Sequence, residues 1–291
     1  VIEPLHHFSI PVNQAMTLVP IEVLPLFRPL NGQLISLLKS LGDAEWQAQT
    51  IAKLWKVKDV AGHLLDGNIR LLSMLRDNYY GESFDGGSYA ELVGYLNQLN
   101  ADWVKAMRRV SPAMLIALHE ATHESYVQYY ESLNPLGPSR FSVAWAGENE
   151  SQNWMHIARE YTEKFLHQQQ IRDAAGKPAL MNTTYFQPFA EVCMLALPYT
   201  FREVDAQPGT ALQVQIPESF GGSWTLIKRE EGWNLSREEA GSYMSKVVIP
   251  ADVFWKMVSK SIRPEEVQDQ LRVEGDQALG EVALNMVSFM A

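Results

Sequence analysis

Residues 119–123 read HEATH and fit the pattern H-E-x-x-H. In zinc proteases this pattern lies on a helix, where two histidines one turn apart bind zinc and the glutamate acts as general base. A helical wheel places His119 and His123 within a broad apolar arc and Glu120 on the polar side. No further histidine follows at the spacing that would supply a third ligand, since the chain continues E-S-Y. The favoured interpretation is a pair of inward-facing histidines, and a zinc protease is the less favoured alternative.

A second group of metal-binding side chains is distributed over two segments. Four of them recur at helical spacing in a late segment: His156, Glu160, Glu163 and His167. That spacing keeps all four within about 60° on one helical face. His63 lies in an earlier segment, and Gly67, one turn further on, leaves room beside its imidazole. Two facing helices can bring His63, Glu163 and His167 together as a two-His, one-Glu site with an open coordination position.

This ligand set suits a catalytic zinc ion and also Fe(II). From the residues alone, the alternative is a set of solvated helix faces in which each histidine is structural. The site therefore depends on whether the elements that carry these residues pack against each other.

The elements that must position these residues are helices in the first part of the chain. Apolar residues at helical spacing predict five segments: 26–41, 57–78, 88–110, 112–133 and 151–176. Ser88 is a typical N-cap and Pro112 suits a first helical turn. Gly176 followed by Pro178 is a typical stop signal. Few strand patterns lie between these segments, so the sequence predicts an α-helical bundle.

From about residue 208 the pattern alternates as in β-strands. The segments TALQVQI, SWTLIKRE, GWNLS and KVVI are separated by glycine-containing turn signals. Helical patterns follow at 251–260 and 277–290. The predicted fold class is therefore α plus α+β. We place a helical, metal-binding domain at 1–180 and a small α+β domain at 181–291, with the helix-like stretch 185–202 assigned to the second domain.

The composition narrows the classes of partner. The chain has 291 residues, of which 46% are hydrophobic and 20% are charged, with a formal net charge of −10. These fractions are those of an ordinary soluble globular protein with a sizeable core. The acidic balance, without a basic run, argues against nucleic acid as a partner. No stretch approaches the roughly 20 apolar residues of a transmembrane helix. We expect a small-molecule substrate, no membrane and, as an option, a homo-oligomer.

The termini and the cysteine content predict a cytoplasmic protein. Pro4, Pro11, Pro20 and Pro25 interrupt the apolar N-terminal stretch, which also lacks a basic region, so we predict no signal peptide. The single cysteine, Cys193, lies in the apolar run VCMLAL and is predicted to be a buried core residue. A lone cysteine suits a reducing compartment.

Two segments resemble a known family. W-K-V-K-D-V-A-G-H-L-L-D-G (55–67) resembles the segment around the first metal histidine of the mycothiol-dependent maleylpyruvate isomerase family, part of the DinB-like superfamily. A-R-E-Y-T-E-K-F-L-H-Q-Q-Q-I-R-D-A (158–174) is similar to the segment with the other two ligands. DinB-like proteins often have H-x-x-x-H-x-x-Q-I there, and Glu163 replaces the first histidine, as in the isomerase branch. W-A-G-E (145–148) and the C-terminal V-E-G-D and V-S-F-M-A also resemble that family, and the second domain is similar to sterol-carrier-like modules.

The resemblance covers nearly the whole chain and implies a function. It implies a DinB-like four-helix bundle with zinc, or else nickel or iron, on His63, Glu163 and His167. It also implies a low-molecular-weight thiol such as mycothiol, and a metal-dependent isomerase or transferase in which the thiol adds to an activated alkene. The carboxylates of such a substrate need cationic partners, for which there are four candidates: Arg70, Arg76, Arg159 and Arg172.

A rival hypothesis from another class is a non-catalytic binding protein. In it the metal stabilises the bundle and the C-terminal domain binds an apolar ligand. Four aromatic residues could line such a cavity, although core packing is the default for them: Trp224, Trp233, Phe254 and Trp255. The zinc protease ranks last. The roles of His119, His123, His156 and Glu160 stay open at this point.

Overall fold

The computed structural model describes residues 19–82, 84–86 and 88–289. The chain divides into two compact units. The first, here called the helical unit, comprises Glu22–Gly137 and Glu160–Leu180. The second, here called the mixed unit, includes Pro138–Arg159 and residues 181–289. Two of the prolines named for the N-terminal stretch, Pro4 and Pro11, lie outside the described residues. The last two residues of V-S-F-M-A also lie outside them. The domain division at 180 and 181 stays a prediction.

The long helices lie where the apolar spacing predicts them. Helices from the N-terminal part are α1 Phe27–Lys39, α2 Asp43–Trp46, α3 Val57–Leu71, α4 Tyr89–Met107, α5 Pro112–Glu131 and α6 Asn153–Ala174. Ser88 and Ser111 cap α4 and α5, because each hydroxyl accepts a hydrogen bond from a backbone N–H in the first turn. The five predicted helical segments are confirmed, with ends that differ by a few residues. The short helix α2 was not predicted.

The core of the helical unit is built from the apolar faces of these helices. Leu38 of α1, Leu65 of α3 and Leu115 of α5 are each 0% exposed. Ile171 of α6 belongs to the same cluster. This apolar contact brings α6, which carries two of the candidate ligands, onto the helices that surround α3.

Helix α3, which carries His63, has well-defined ends. At its start the Asp59 carboxylate accepts hydrogen bonds from the Lys56 backbone N–H at 3.1 Å and from the Arg108 guanidinium at 2.9 Å. After Leu71 the helix widens into a π-helical turn, Leu72–Arg76, in which the Asp77 N–H donates to the Leu72 carbonyl. Asn78 then takes the left-handed conformation with φ of 53° and ends the segment. The prediction of one α-helix over 57–78 is therefore corrected, since the α-helical part stops at Leu71.

The described residues of the mixed unit form a five-stranded sheet and, after residue 181, four α-helices. Its elements are α7 Phe186–Met194, α8 Leu197–Thr200, β1 Ala211–Ile216, β2 Gly222–Arg229, β3 Gly232–Ser236, β4 Ser245–Val248, α9 Ala251–Val258, β5 Arg272–Gly275 and α10 Gln277–Leu284. The strand order is β3-β2-β1-β4-β5, and β1 and β4 form the parallel pair. Four strands were predicted. The edge strand β5 was missed, because its exposed R-V-E-G sequence has no alternating apolar pattern.

Aromatic side chains fill the core of the mixed unit. Trp224, Phe254 and Trp255 are at most 1% exposed, and Trp233 is 6% exposed. The indole N–H groups donate to Glu191, to the Val204 carbonyl and to Asp252. These residues therefore have the core-packing role that was the default. Cys193 is buried, as predicted. Within the described ranges, no helix combines the length and the apolar composition that a bilayer span requires.

The cap of α3 generates a stability prediction. We expect Asp59→Ala to lower the free energy of unfolding by about 2 kcal/mol, because it removes the cap of α3 and a charged hydrogen bond. Asp59→Asn is the matched control, since it keeps the side-chain acceptor and removes the charge, so its loss should be smaller. Urea denaturation measures both. An unchanged midpoint for Asp59→Ala would contradict this account.

Candidate metal centre

Helices α3 and α6 bring His63, Glu163 and His167 together. One ligand atom from each side chain lies within 4.8 Å of the other two. Among the residues that the structure describes, no other group of three His, Cys, Asp or Glu side chains converges in this way. The two imidazole rings lie 4.7 Å apart, measured between centroids, and are nearly perpendicular at 76°. The arrangement is therefore two nitrogen donors and one carboxylate around a common point.

His63 is prepared for metal binding by its surroundings. Its Nδ1 is removed from solvent and has no hydrogen-bond partner. Burial, and then the positive charges of nearby side chains such as Arg70, hold the pKa of His63 well below its usual range. The imidazole is therefore neutral at neutral pH, which is the form that binds a metal. A buried nitrogen without a partner is unfavourable, and a cation coordinated by Nδ1 would remove that cost.

Gln170 orients the second imidazole. The Gln170 Oε1 lies 2.9 Å from His167 Nδ1, and the amide oxygen can only accept, so Nδ1 carries the proton in this pair. His167 Nε2 lies 3.2 Å from Glu163 Oε2. A proton or a cation must lie between this nitrogen and the carboxylate, because two lone pairs at this distance repel each other. Histidines that bind metals typically donate their other ring N–H to an oxygen acceptor, as His167 Nδ1 does to Gln170.

Trp55 borders the site on one side. Its ring centroid lies 4.7 Å from that of His63 and 6.2 Å from that of His167. The loop before α3 holds it in place, because the Thr50 side chain and the Gln49 amide both donate to the Trp55 carbonyl. An apolar ring beside the imidazoles limits access of water to the site. The sequence reasoning did not assign this role, although Trp55 is the first residue of the family-like segment.

Lys164 is a buried cation next to the candidate ligand Glu163. Its Nζ donates to the Leu64 carbonyl at 3.1 Å and to Asn68 Oδ1, and it lies 4.5 Å from the centroid of the Tyr126 ring. Burial lowers the pKa of Lys164 to about 8, against the opposing effect of nearby carboxylates, so the amine stays largely protonated at neutral pH. Nothing in the local sequence pattern distinguishes this lysine from a solvated one.

Gly67 was predicted to leave room beside the His63 imidazole, and the structure places a different group next to this glycine. A Cβ atom at Gly67 would have the Lys164 Nζ as its nearest neighbour, at 3.9 Å. The missing side chain therefore leaves room for the ammonium group of Lys164, a neighbour that the sequence did not indicate.

Two of the four residues that recur along α6 do not join the ligand group. Glu160 accepts a hydrogen bond from the Tyr126 hydroxyl at 3.2 Å. His156 belongs to the mixed unit, where its Nδ1 lies 2.8 Å from the Arg159 guanidinium. A position on the same helical face therefore did not suffice to identify the ligands. Of the four residues, only Glu163 and His167 lie close to His63.

The HEATH residues face different surroundings. His119 is 2% exposed and donates through Nε2 to the Ala61 carbonyl at 3.0 Å, while burial lowers its pKa to about 4. Glu120 forms an exposed ion pair with Lys39. The inward orientation of His119 is confirmed, and the residue supports α3 two positions before His63. His123 Nδ1 is removed from solvent without a hydrogen-bond partner.

Comparison with known proteins defines the relationship of the chain. The family model described as the mycothiol maleylpyruvate isomerase N-terminal domain matches residues 27–172. The chain belongs to this family. The matched region contains all three candidate ligands, together with Trp55, Lys164 and Gln170. No curated protein matches the sequence significantly.

Solved structures of the family share the fold. Two crystal structures of a mycothiol-dependent maleylpyruvate isomerase, one of them of a mutant, have TM-scores of 0.54 and 0.53 at 12% identity. Each alignment covers 88% of this chain and 93% of the other. The predicted fold class is thereby confirmed, with helices first and a small mixed domain after them. A structure titled UbiJ-SCP2 ubiquinone synthesis protein is 25% identical over 31% of this chain and 77% of its own, but its TM-score of 0.23 supports no argument.

The contrast between the two histidine groups is testable. We expect His119→Ala combined with His123→Ala to keep the metal content, and His167→Ala to abolish it, because only His167 lies in the converging group. The double variant should still lose about 1–3 kcal/mol of stability from lost packing and a lost hydrogen bond. Elemental analysis of the purified variants measures the metal. Loss of metal from the double variant alone would reverse the assignment.

Proposed function

We propose that the protein is a metal-dependent, thiol-linked isomerase or transferase that acts on a small molecule with an activated double bond. The observation that supports this proposal is the convergence of His63, Glu163 and His167 within 4.8 Å in a member of the maleylpyruvate isomerase family. We propose that these three side chains hold one divalent ion, with zinc first and nickel or iron as alternatives.

A ligand set of two histidines and one glutamate would allow a bound ion to take part in a reaction. Three protein ligands leave a coordination position open, as in catalytic zinc sites. A divalent ion bound there would favour the thiolate form of a small thiol at neutral pH. Gln170 holds the His167 ring in the tautomer that leaves Nε2 free, and Trp55 limits access of water beside the imidazoles. The Glu163 carboxylate offsets part of the charge of the cation.

The nucleophile in this proposal comes from outside the chain. Cys193 is fully buried and forms part of the core of the mixed unit, where burial disfavours the thiolate. An added thiol would attack one alkene carbon while the electron pair moves onto the conjugated carbonyl. The bond is then single and rotates, and expulsion of the same thiol restores the alkene in the other geometry. The reaction therefore consumes no thiol and needs no oxidant.

Arg70 is the cation that we propose for a substrate carboxylate. Its Nη1 is removed from solvent without a hydrogen-bond partner, while Nη2 lies 3.2 Å from Asp66 and 3.4 Å from Asn100. The other arginine candidates have structural contacts: Arg76 with Asp77, Arg172 with the Pro178 carbonyl and Arg159 with His156. Arg70 therefore combines a buried donor that has no partner with a position on α3, the helix of His63.

A groove beside α3 supports this role for Arg70. It has a volume of about 410 Å³, and Arg70 and Trp103 both line it. The Trp103 indole N–H donates to the Gly62 carbonyl at 2.8 Å, next to His63. His63 and Arg70 are seven residues apart and so share one side of α3. Asp66 and Asp102 also line the groove, so we limit the proposal to one carboxylate bound at Arg70.

The first prediction from this proposal concerns the thiol. Isomerisation of a cis-enedione acid should require mycothiol or another cellular thiol, because the chain offers no exposed nucleophilic cysteine. Cys193→Ala should retain this turnover, whereas Glu163→Ala should lose turnover and metal together. Absorbance of the enedione measures the rate. Turnover that proceeds without thiol and disappears in Cys193→Ala would refute the mechanism. If no thiol supports turnover across a substrate panel, the non-catalytic binding protein replaces it.

The second prediction concerns the substrate carboxylate. We expect Arg70→Met to raise KM for an anionic substrate by about tenfold or more, with a smaller effect on kcat, because a charged hydrogen bond contributes about 1.5–3 kcal/mol. Metal content should not change. Arg76→Met is the matched control, since Arg76 lies in the π-helical turn after α3 and pairs with Asp77. Equal KM values for the two variants would exclude Arg70.

A further inference from the structure

A buried polar network ties together the helices around the candidate metal centre. Lys164 of α6 donates to the Leu64 carbonyl and to the Asn68 side chain, both on α3. Asn68 Nδ2 in turn donates to the Thr122 hydroxyl of α5 at 3.0 Å, and Thr122 donates to the Leu118 carbonyl. Lys164 is 5% exposed and Asn68 is 2% exposed. The network thus joins α6, α3 and α5 inside the helical unit.

This network runs beside the ligand residues in sequence. Lys164 directly follows the candidate ligand Glu163, and Leu64, whose carbonyl Lys164 contacts, directly follows His63. The hydrogen bond of 3.1 Å from Nζ to this carbonyl therefore joins the two helices one residue beyond a ligand on each. Any slide of α6 along α3 that separates the ligand atoms also breaks this bond.

A contribution to folding stability alone does not explain this network, because it buries an ammonium group. The hydrogen-bond acceptors of Lys164 Nζ are neutral oxygens, and removal of an ammonium group from water costs several kcal/mol, which these acceptors and the nearby carboxylates offset only in part. Gly67 leaves the space in which the ammonium lies. An apolar side chain of similar length would avoid that desolvation cost. A buried lysine at this position therefore indicates that the relative position of α6 and α3 has to be fixed.

We propose that Lys164 is a positioning residue for the metal centre. Its cross-helix hydrogen bonds hold α6 against α3 so that the His63, Glu163 and His167 donors converge before an ion binds. This inference rests on the metal site of the proposed function, but it does not depend on the reaction or on the thiol.

Charge repulsion and ligand positioning by Lys164 predict opposite changes in metal affinity when this lysine is removed. A buried positive charge next to Glu163 repels a divalent cation, so its removal should tighten metal binding if charge alone mattered. If Lys164 positions the ligands, its removal should weaken metal binding, since loss of a group that orients metal ligands typically costs about 10–100-fold in affinity. The sign of the change separates the two.

The test compares three variants of the full chain with the wild type. Lys164→Met removes the ammonium and keeps the length of the side chain. Lys164→Met with Asn68→Leu removes donor and acceptor together, which can be nearly neutral for stability. Lys58→Met is the matched control, because Lys58 Nζ makes a similar bond of 2.9 Å from α3 to the Arg108 carbonyl, away from the ligands.

Three measurements are made on each protein. Competition with a chromophoric chelator gives the affinity for Zn²⁺. The visible absorption of the Co²⁺-loaded protein reports the coordination geometry, and urea unfolding of the metal-free protein reports stability. We expect Lys164→Met to bind Zn²⁺ at least about tenfold more weakly and to change the Co²⁺ spectrum. The double variant should regain stability without regaining affinity or the wild-type spectrum, and Lys58→Met should match the wild type in both.

Two results would overturn the inference while the metal site stands. One is unchanged or tighter Zn²⁺ binding by Lys164→Met. The other is a double variant that regains Zn²⁺ affinity together with stability. In that case the network would contribute only to packing and not to the position of the ligands. A wild-type chain that binds neither Zn²⁺ nor Co²⁺ would instead refute the metal site itself, and the positioning role with it. An inactive protein that nevertheless shows the expected loss of affinity would refute only the proposed reaction.

Discussion

The placement of α6 against α3 is the constraint on which the candidate metal centre depends, because neither helix carries all three ligands. Glu163 and His167 come from consecutive turns of α6, and His63 comes from α3. Metal–ligand bonds of about 2.0–2.2 Å tolerate little displacement between two helices whose axes lie roughly 8–10 Å apart. The groups that set the position of α6 are therefore as important to the site as the ligands themselves.

Buried polar groups, together with apolar side chains such as Phe165 and Ile171, hold helix α6, and that number of polar groups is unusual for an interior helix. Gln168 donates to the Leu30 carbonyl of α1 at 3.1 Å, and Gln169 accepts from the Leu180 N–H at 3.1 Å. Arg172 donates to the Pro178 carbonyl at 2.7 Å. The bond from Gln168 crosses to α1 and therefore requires one axial and rotational position of α6 against that helix, whereas the other two tie the segment after α6 to the helix. Apolar packing alone tolerates small shifts, whereas a buried donor that loses its acceptor costs about 1–3 kcal/mol. The polar interior therefore specifies the register in which the ligands meet.

Membership of the family does not by itself establish the reaction or the substrate of this chain. The family is established over residues 27–172, which include every residue of the candidate centre. The isomerase structures share 12% identity with the chain, and at that distance a common fold does not transfer a substrate. The donor set, the orientation of His167 by Gln170 and the free Nη1 of Arg70 are properties of this chain. The proposed reaction on an anionic small molecule rests on these residues and not on the substrate of any relative.

The sequence by itself determined the local structure and the residue types of the site. Periodic apolar spacing, the cap at Ser88 and the first-turn residue Pro112 specified the long helices, and alternation specified four strands. The apolar run around Cys193 predicted its burial. These features depend on neighbours within one element, and the periods of 3.6 and 2 residues encode which face is buried.

Only the tertiary structure decided how these elements meet. Glu160 and Glu163 look equivalent on a helical wheel, yet one bonds Tyr126 and the other joins the ligand group. Strand β5 exists as the partner of β4 and has little pattern of its own. Lys164 looks like a surface residue until α3 supplies the Leu64 carbonyl and the space at Gly67. The physical reason is common to all three: distances and hydrogen bonds between elements depend on packing across the core, and periodicity within one element does not encode them.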